Sequence, residues 1–486
     1  MGLMDAGIWS GRIYTSAGWG PGGAGESAVH EPATGAELGT LGSASESDVL
    51  KSAIAAAAAQ ADWAARPHPE RARILRTAGR LWEEHSAEVE TWLIREAGST
   101  PPKAALETQV ASEECYAAAA LPAHPAGEVI PSAEPRWSFS RRRPVGVVSV
   151  IAPFNFPLIL SIRSVAPALA LGNAVLLKPD PRTAVSGGVS LVRIFEEAGL
   201  PEGLLQLLPG GRELGPTFIT APEVRVVSFT GSTAAGRAVG ELAGRHLKRA
   251  HLELGGNNAL IILPGADLAR AASAGAFSSF LHQGQICMAA GRHLVHESLH
   301  DDYVLALAGK ADALPVGNPA TDQVALGPII DAGQRDKIDA LVQGTVAAGA
   351  RLAAGGSYQD LFYRPTVLAE VDPGMPAYAQ EVFGPVAPVV PFRSAEEAIA
   401  LARSSEYGLS LGILGDVGAA MAIADAVPSG IVHINEQTVM DEPNVPFGGV
   451  AASGTGSRFG GATANIEAFT EAQWLTVRST IAPYPF

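Results

Sequence analysis

From Val145 to Gly256 short apolar runs alternate with stretches of helical spacing, and a turn rich in Gly, Pro or polar residues follows each run. The runs are "VGVVSVI", "AVLLK", "LLQLL", "RVVSF" and "AHLEL"; the stretches between them include "LILSIRSVAPALAL", "AVSGGVSLVRIFEEAG" and "TAAGRAVGELAGRHL". Strand, helix, strand in this order restricts the chain to a parallel sheet with helices on both faces, a doubly wound α/β fold. Sheets of this kind bind ligands beyond the carboxyl ends of their strands. Here those ends carry "APFNFP", "KPDPRT", "LPGG", "FTGST" and "ELGG".

With 486 residues the chain is too long for one core, since single cores stop growing at roughly 250–300 residues. A second, less regular α/β region runs from Leu263 to about residue 450. Three helical stretches precede the sheet, over 46–65, 69–97 and 103–120, and Cys115 in the last of them reads as a packing residue. Two extended segments, "RWSFSRRRP" (136–144) and "AFTEAQWLTVRST" (468–480), are suited to pair as a protruding arm. "GWGPGG" (18–23) matches G-x-G-x-x-G in form only: Pro21 interrupts it, no helix pattern follows, and it reads as a loop.

Hydrophobic residues make up 47% of the chain and charged residues 17%, which fits a large or oligomeric protein with little surface per residue. The 34 basic and 49 acidic side chains leave a formal charge of −15, which disfavours nucleic acid and anionic membrane as partners. Two cysteines are too few for a disulfide framework, and they point to a reducing compartment in which a lone Cys is a candidate nucleophile. The opening residues lack a secretory signal, and the most apolar tract, Val145 to Ile162, is broken by Pro153, Asn155 and Pro157. A soluble cytoplasmic protein is expected.

Several side chains at the turns carry chemistry. Gly231, Ser232 and Gly236 in "FTGSTAAGR" stand between a strand and a helix start, where free N–H groups attract phosphate, although a plain strand-to-helix turn reads equally well. The stretch is not a Walker A loop, because Arg237 and Ala238 follow Gly236. Lys178 ends an apolar strand, a position suited to a cofactor hydroxyl or phosphate. Glu253 in "HLELGG" is either a carboxylate satisfied by local amides or a general base whose pKa is raised by apolar neighbours. Asn155, between two prolines, could aim an amide N–H at a developing oxyanion.

Taken in order, "PFNFP" at 153, "KPDPRT" at 178, "FTGST" at 229, "LELGG" at 252, "GQIC" at 284, "EVFGPV" at 381 and "PFGG" at 446 with "SGTG" at 453 make the chain resemble the aldehyde dehydrogenase superfamily over nearly its whole length. The resemblance implies a doubly wound Rossmann-like cofactor domain formed by 1–122 and 145–255, and a second α/β catalytic domain over 256–450. It also implies a small β oligomerisation arm formed by 123–144 and 463–486. Cys287 is similar in position to the nucleophile, Glu253 to the general base, and Asn155 with the Cys287 backbone N–H to the oxyanion hole. The thiolate then attacks the aldehyde, hydride passes to the nicotinamide, and water activated by Glu253 releases the acid from a thioester.

The resemblance places cofactor contacts at Ile151, Phe154, Lys178, Asp180, Pro181 and Gly211 on one side. Phe229, Gly231, Ser232, Ala235 and Gly236 follow, then Leu254, Gly255, Glu381 and Phe383. Lys178 would hold the adenine ribose and Glu381 the nicotinamide ribose. Phe156, Arg163, Ile286, Met288 and Phe447 would line the substrate pocket, and no metal is implied.

Departures from the common pattern are Phe154 for a usual tryptophan, Asn257 and Ala259 after "ELGG", Arg163 where many relatives carry an aromatic residue, and Pro181 where NAD users often carry glutamate. Together with "GQICMAAGRH" and "SRFGGATANIEAFTEAQW" they resemble the branch that oxidises benzaldehyde and vanillin. The expected function is therefore oxidation of an aromatic aldehyde by a homodimer or homotetramer, with NAD as the better cofactor and NADP as a weaker one. One alternative is an aliphatic or semialdehyde substrate, to be decided by the loop at 435–447. A remote one is a cofactor-free cysteine hydrolase using His282 or His293. The presence of Cys287, Glu253 and Asn155 together disfavours a non-catalytic relative.

Overall fold

In the computed structural model, which describes residues 2–486, the alternating runs form a seven-stranded sheet. Its order is Arg249–Glu253, Val224–Thr230, Val147–Ile151, Ala174–Lys178, Leu205–Leu207, Arg12–Thr15 and Gly18–Pro21. The first five strands are parallel, and the last two close the edge as an antiparallel hairpin. From Val147–Ile151 the chain winds first toward Ala174–Lys178, then returns to lay Val224–Thr230 on the opposite side. The reversal leaves a crevice between the turn after Ile151 and the turn after Thr230, where doubly wound sheets bind ligands.

"GWGPGG" is partly strand and not wholly loop: Gly18–Pro21 pairs with Arg12–Thr15. Pro21 is tolerated because this strand lies at the sheet edge, where a missing N–H removes no ladder bond. The helical stretch at 69–97 is two helices, His68–Glu84 and Ser86–Ala97, broken where His85 leaves helical geometry at φ −111° and ψ 15°. Gly98 closes the second at φ +66°, and Pro101 opens the helix Pro101–Ala120.

The second sheet also has seven strands, ordered Arg351–Ala354, Thr366–Ala369, Val386–Phe392, Ala290–His296, Asn258–Ile262, Ser410–Leu414 and Ile431–Ile434. Its central strands are buried on both faces: Ala259, Ile261 and Leu294 join one core, while Leu260, Ile262 and Val295 join another. That division follows from the two-residue period of a strand.

Thr470–Val477 pairs antiparallel with Trp137–Pro144, and Gly127–Val129 adds a third strand. The segment 468–480, read as extended, is strand from Thr470, while its first two residues, Ala468 and Phe469, end the helix Ala462–Phe469. Asn465, Ala468 and Phe469, at i, i+3 and i+4, form its buried face, and Ala468 and Phe469 pack into the core of the first sheet. No helix among the described residues is long and apolar enough to cross a membrane.

Candidate active site

Cys287 lies between the helix Leu268–Phe280 and the strand Ala290–His296, on a turn in which His282, Gln283 and Gly284 all take positive φ. Such runs are costly for residues with a Cβ and persist only where surroundings enforce them. Here Gln283 Nε2 donates to the carbonyls of Gly98 (3.1 Å) and Pro328 (2.9 Å), and the Ile330 N–H donates to Gln285 Oε1 at 3.1 Å. A Cβ on Gly284 would lie 2.1 Å from the Gly384 carbonyl oxygen, so only glycine fits. Asn258 Nδ2 donates to the carbonyls of Cys287 and Ala289, both at 2.8 Å, which fixes the backbone on the far side of the thiol.

Cys287 is half-buried as a residue, while its neighbours Ile286 and Met288 are buried. These two join Leu409 and Phe447 in a small apolar cluster against which Phe156, Cys287 and Val439 pack. Burial first, then the nearby Glu381 and Glu253 carboxylates, push the thiol up to about 12, with Arg163 pulling the other way.

Asn155 is buried and reaches across to the thiol segment, donating from Nδ2 to the Gln285 carbonyl at 2.8 Å. One N–H of the amide is thereby used, and the second remains for another acceptor. Glu253 ends the strand Arg249–Glu253 and is buried; Oε2 accepts from the Gly449 N–H at 3.3 Å and Oε1 has no partner. Burial raises this carboxyl to about 8, with the Gly449 N–H, Arg163 and Arg458 opposing. A Cβ on Gly448 would come within 2.8 Å of Oε1, so glycine there leaves the free oxygen its space.

Arg163 is buried on the helix Pro157–Ala170, with its guanidinium 4.4 Å from the centre of the Phe447 ring and ion-paired with Asp441. The five side chains expected to line the substrate pocket therefore meet around one apolar patch. Sequence reasoning missed Leu409, Val439 and Asp441 there. The two rival histidines are turned to other work: His293 bonds Ser279 Oγ and the Tyr303 hydroxyl, both at 2.7 Å, and His282 is buried edge-on to Phe156. Burial pulls both imidazoles well below their ordinary value.

A cavity of about 790 Å³ occupies the crevice of the first sheet and reaches Cys287 and Asn155. Ile151, Phe154, Lys178, Asp180, Pro181 and Phe229 line it from one side; Gly231, Ser232, Ala235 and Leu254, then Gly255, Glu381 and Phe383, complete the expected set. Gly211 and Gly236 are the exceptions. The Gly211 N–H turns to Glu213 Oε1 at 3.0 Å, and Gly236 sits behind Leu254, whose Cδ2 would be 2.2 Å from a Cβ there.

The walls suit a dinucleotide. Ser232 caps the helix Thr233–Arg245, whose N-terminus faces the cavity, and Lys178 brings a buried cation. A Cβ on Gly255 would strike Glu381 Oε2 at 2.4 Å, so glycine lets the strand end and this carboxylate approach. Glu381 Oε1 accepts from the Gly256 N–H at 2.9 Å, and burial lifts its carboxyl to about 7. Gln334 and Lys337, on the helix Ala332–Ala347, also line the cavity, and sequence reading missed them because no strand-end or glycine signal marks that helix. Arg182 lies over the Phe154 ring at 4.3 Å, grips both oxygens of Asp180 (2.9 and 2.7 Å) and bonds Asp331 at 2.5 Å.

The Aldehyde dehydrogenase family pattern matches residues 19–475. A vanillin dehydrogenase of Amycolatopsis sp. is 65% identical over 487 residues, covering 100% of both chains. A benzaldehyde dehydrogenase [NAD(+)] of Pseudomonas putida is 49% identical over 99% of this chain and 98% of the other. Among solved structures, betaine aldehyde dehydrogenase from Staphylococcus aureus in complex with NAD+ superposes with a TM-score of 0.95 at 28% identity, covering 99% of this chain and 97% of that one.

Proposed function

The chain belongs to the aldehyde dehydrogenase family, and on that footing we propose that it oxidises aromatic aldehydes to carboxylic acids with NAD. The observation that carries this reading is the placing of a partly accessible Cys287 between the cavity and an apolar patch of Phe156, Ile286, Met288 and Phe447. The names of the two relatives above support the aromatic class, and the NAD named for the benzaldehyde enzyme and for the solved structure supports the cofactor.

In the proposed reaction Cys287 Sγ, once deprotonated, bonds to the aldehyde carbon. The free N–H of Asn155 and the backbone N–H of Cys287 hold the developing oxyanion. Bound NAD would supply the ring carbon that accepts a hydride from the adduct. Loss of that hydride leaves a thioester on Cys287. Glu253, through its unpartnered Oε1, takes a proton from water; the hydroxide so formed adds to the thioester, the acid leaves with Cys287 returned as thiolate, and Glu253 passes its proton to solvent. Ile286 and Met288 would flank the acyl group, and Lys178 and Glu381, both lining the cavity, would hold the two riboses.

The loop at 435–447 favours an uncharged ring over a semialdehyde. Asp441 neutralises Arg163, the cation that a second carboxylate would seek. A benzene ring buries about 100 Å² more apolar area than a methyl group, worth ~2.5 kcal/mol or roughly 70-fold. Benzaldehyde is accordingly expected to exceed acetaldehyde in kcat/KM by about that factor for the purified protein with NAD; equal or reversed preference would sink the aromatic reading.

Cofactor choice turns on Arg182. Its donors are taken up by Asp180 and Asp331, so the guanidinium is engaged and not free to bind a 2′-phosphate. NAD is expected to exceed NADP in kcat/KM by at least about tenfold, and Asp180→Ala, which frees Arg182, to narrow the ratio. Side-by-side kinetics with both cofactors check this, and a native preference for NADP would mean that Arg182 reads the phosphate.

Assembly as a homodimer or homotetramer through the arm is supported by the exposed Trp137 and Trp474 on its paired strands. Two unbonded cysteines support a reducing, cytoplasmic setting.

A further inference from the structure

Lys103 and Glu107 form an ion pair whose side chains are 1% and 0% exposed, one turn apart on the helix Pro101–Ala120. Neither has a part in the mechanism above. Burying two charges is expensive, and well-packed apolar residues often serve stability as well or better. The contacts of this pair suggest a geometric task.

Lys103 Nζ has three N–H groups and three acceptors: Glu107 Oε1, Ser99 Oγ at 3.1 Å and the Asn155 carbonyl oxygen at 2.7 Å. It also stands 4.3 Å from the centre of the Phe156 ring. Glu107 Oε2 accepts from the N–H groups of Leu158 (3.1 Å) and Ile159 (3.3 Å), in the first turn of the helix Pro157–Ala170. That helix has no side-chain cap from its own N-cap residue, Phe156, so Glu107 serves as the cap from another helix. The pair therefore holds the Asn155 backbone on one side and the helix that starts two residues later on the other. Asn155 in turn bonds the Gln285 carbonyl, and Gln283 bonds the carbonyl of Gly98, next to Ser99, so the turn that leads into this helix also braces the thiol segment.

We propose that Lys103 and Glu107 are positioning residues that fix the Asn155 carbonyl and the following helix turn, so that the second amide N–H of Asn155 points at the aldehyde oxygen. This rests on the reading of Asn155 as an oxyanion donor. A donor displaced by a fraction of an ångström loses much of its effect on the transition state while substrate binding changes little.

A double-mutant cycle on the full-length protein separates this role from a merely structural one. Single removals would leave a buried charge unpaired, so the pair is replaced together as K103M/E107Q, in which the side-chain amide oxygen introduced at position 107 can still cap the helix. The burst of NADH formation in the first turnover reports acylation. K103M/E107Q is expected to slow that burst by about ten- to a hundredfold at saturating aldehyde, with NAD affinity by fluorescence titration within about twofold of the parent. In an Asn155→Ala background the same replacement is expected to change the burst by less than about twofold, because the donor it positions is gone. Equal slowing in both backgrounds, or no slowing in the parent, would overturn the proposal. A wild-type burst in Asn155→Ala alone would instead remove the oxyanion role of Asn155 itself. If K103M/E107Q fails to bind NAD, the single variant K103R, which keeps the charge but forks its donors, takes its place in the cycle with the same expectations.

Discussion

Cys287→Ala is expected to abolish aldehyde oxidation, lowering kcat by on the order of 10⁴-fold or more, because no other side chain can hold the acyl group. Ile286 and Met288 are apolar, and both histidines close to this segment in sequence are buried and below their ordinary pKa. The variant should still bind NAD, since Cys287 is one of many residues lining a cavity whose other walls are untouched. Stopped-flow absorbance of NADH would show no burst and no steady state. Mass spectrometry after mixing the parent with benzaldehyde and NAD should find one acyl group on the peptide that holds Cys287, and none on the variant. Retained turnover in Cys287→Ala would refute the covalent route.

Glu253→Gln should separate the two halves of the reaction. The amide occupies nearly the same volume and accepts the Gly449 N–H as before, but it cannot take a proton from water. The burst of NADH is then expected to persist at close to the parental rate constant while kcat falls by about 10²- to 10⁴-fold. The carboxyl at about 8 gives the parent a further signature. Burial favours the neutral acid, so the catalytically competent carboxylate forms as pH rises through that value. Deacylation should increase about tenfold per pH unit below 8 and level off above it. Glu253→Gln should lose that inflection. A flat profile in the parent, or one that falls with rising pH, would exclude this carboxylate as the base.

Much of this arrangement was legible before any coordinates. Short apolar runs separated by helical spacing can be satisfied only by strands buried on both faces, so the parallel sheet, its order of elements and the ligand end all follow from local pattern. Cys287, Asn155 and Glu253 each sit at a strand end or tight turn marked by Gly or Pro, and such punctuation is local as well. Errors arose where the deciding force was not local. The hairpin through Gly18–Pro21 exists because a sheet edge was there to receive it, and Ala462–Phe469 is helical because the core of the first sheet takes up its apolar face.

Local spacing therefore carries the set of elements, and the ordered motifs carry the candidate reactive side chains through their resemblance to a family, since both are written in stretches of a few residues. Which partners those side chains meet depends on how distant segments fold together. Arg163 and Asp441 are 278 residues apart, Arg182 and Asp331 149, and Lys103 and Asn155 52. Nothing periodic connects such pairs. Their contacts exist because two sheets and a helix start converge on one thiol, and burial there sets the pKa of Glu253 and makes the bond from Lys103 to Asn155 compulsory: a buried charge left without partners costs more than the fold can spare.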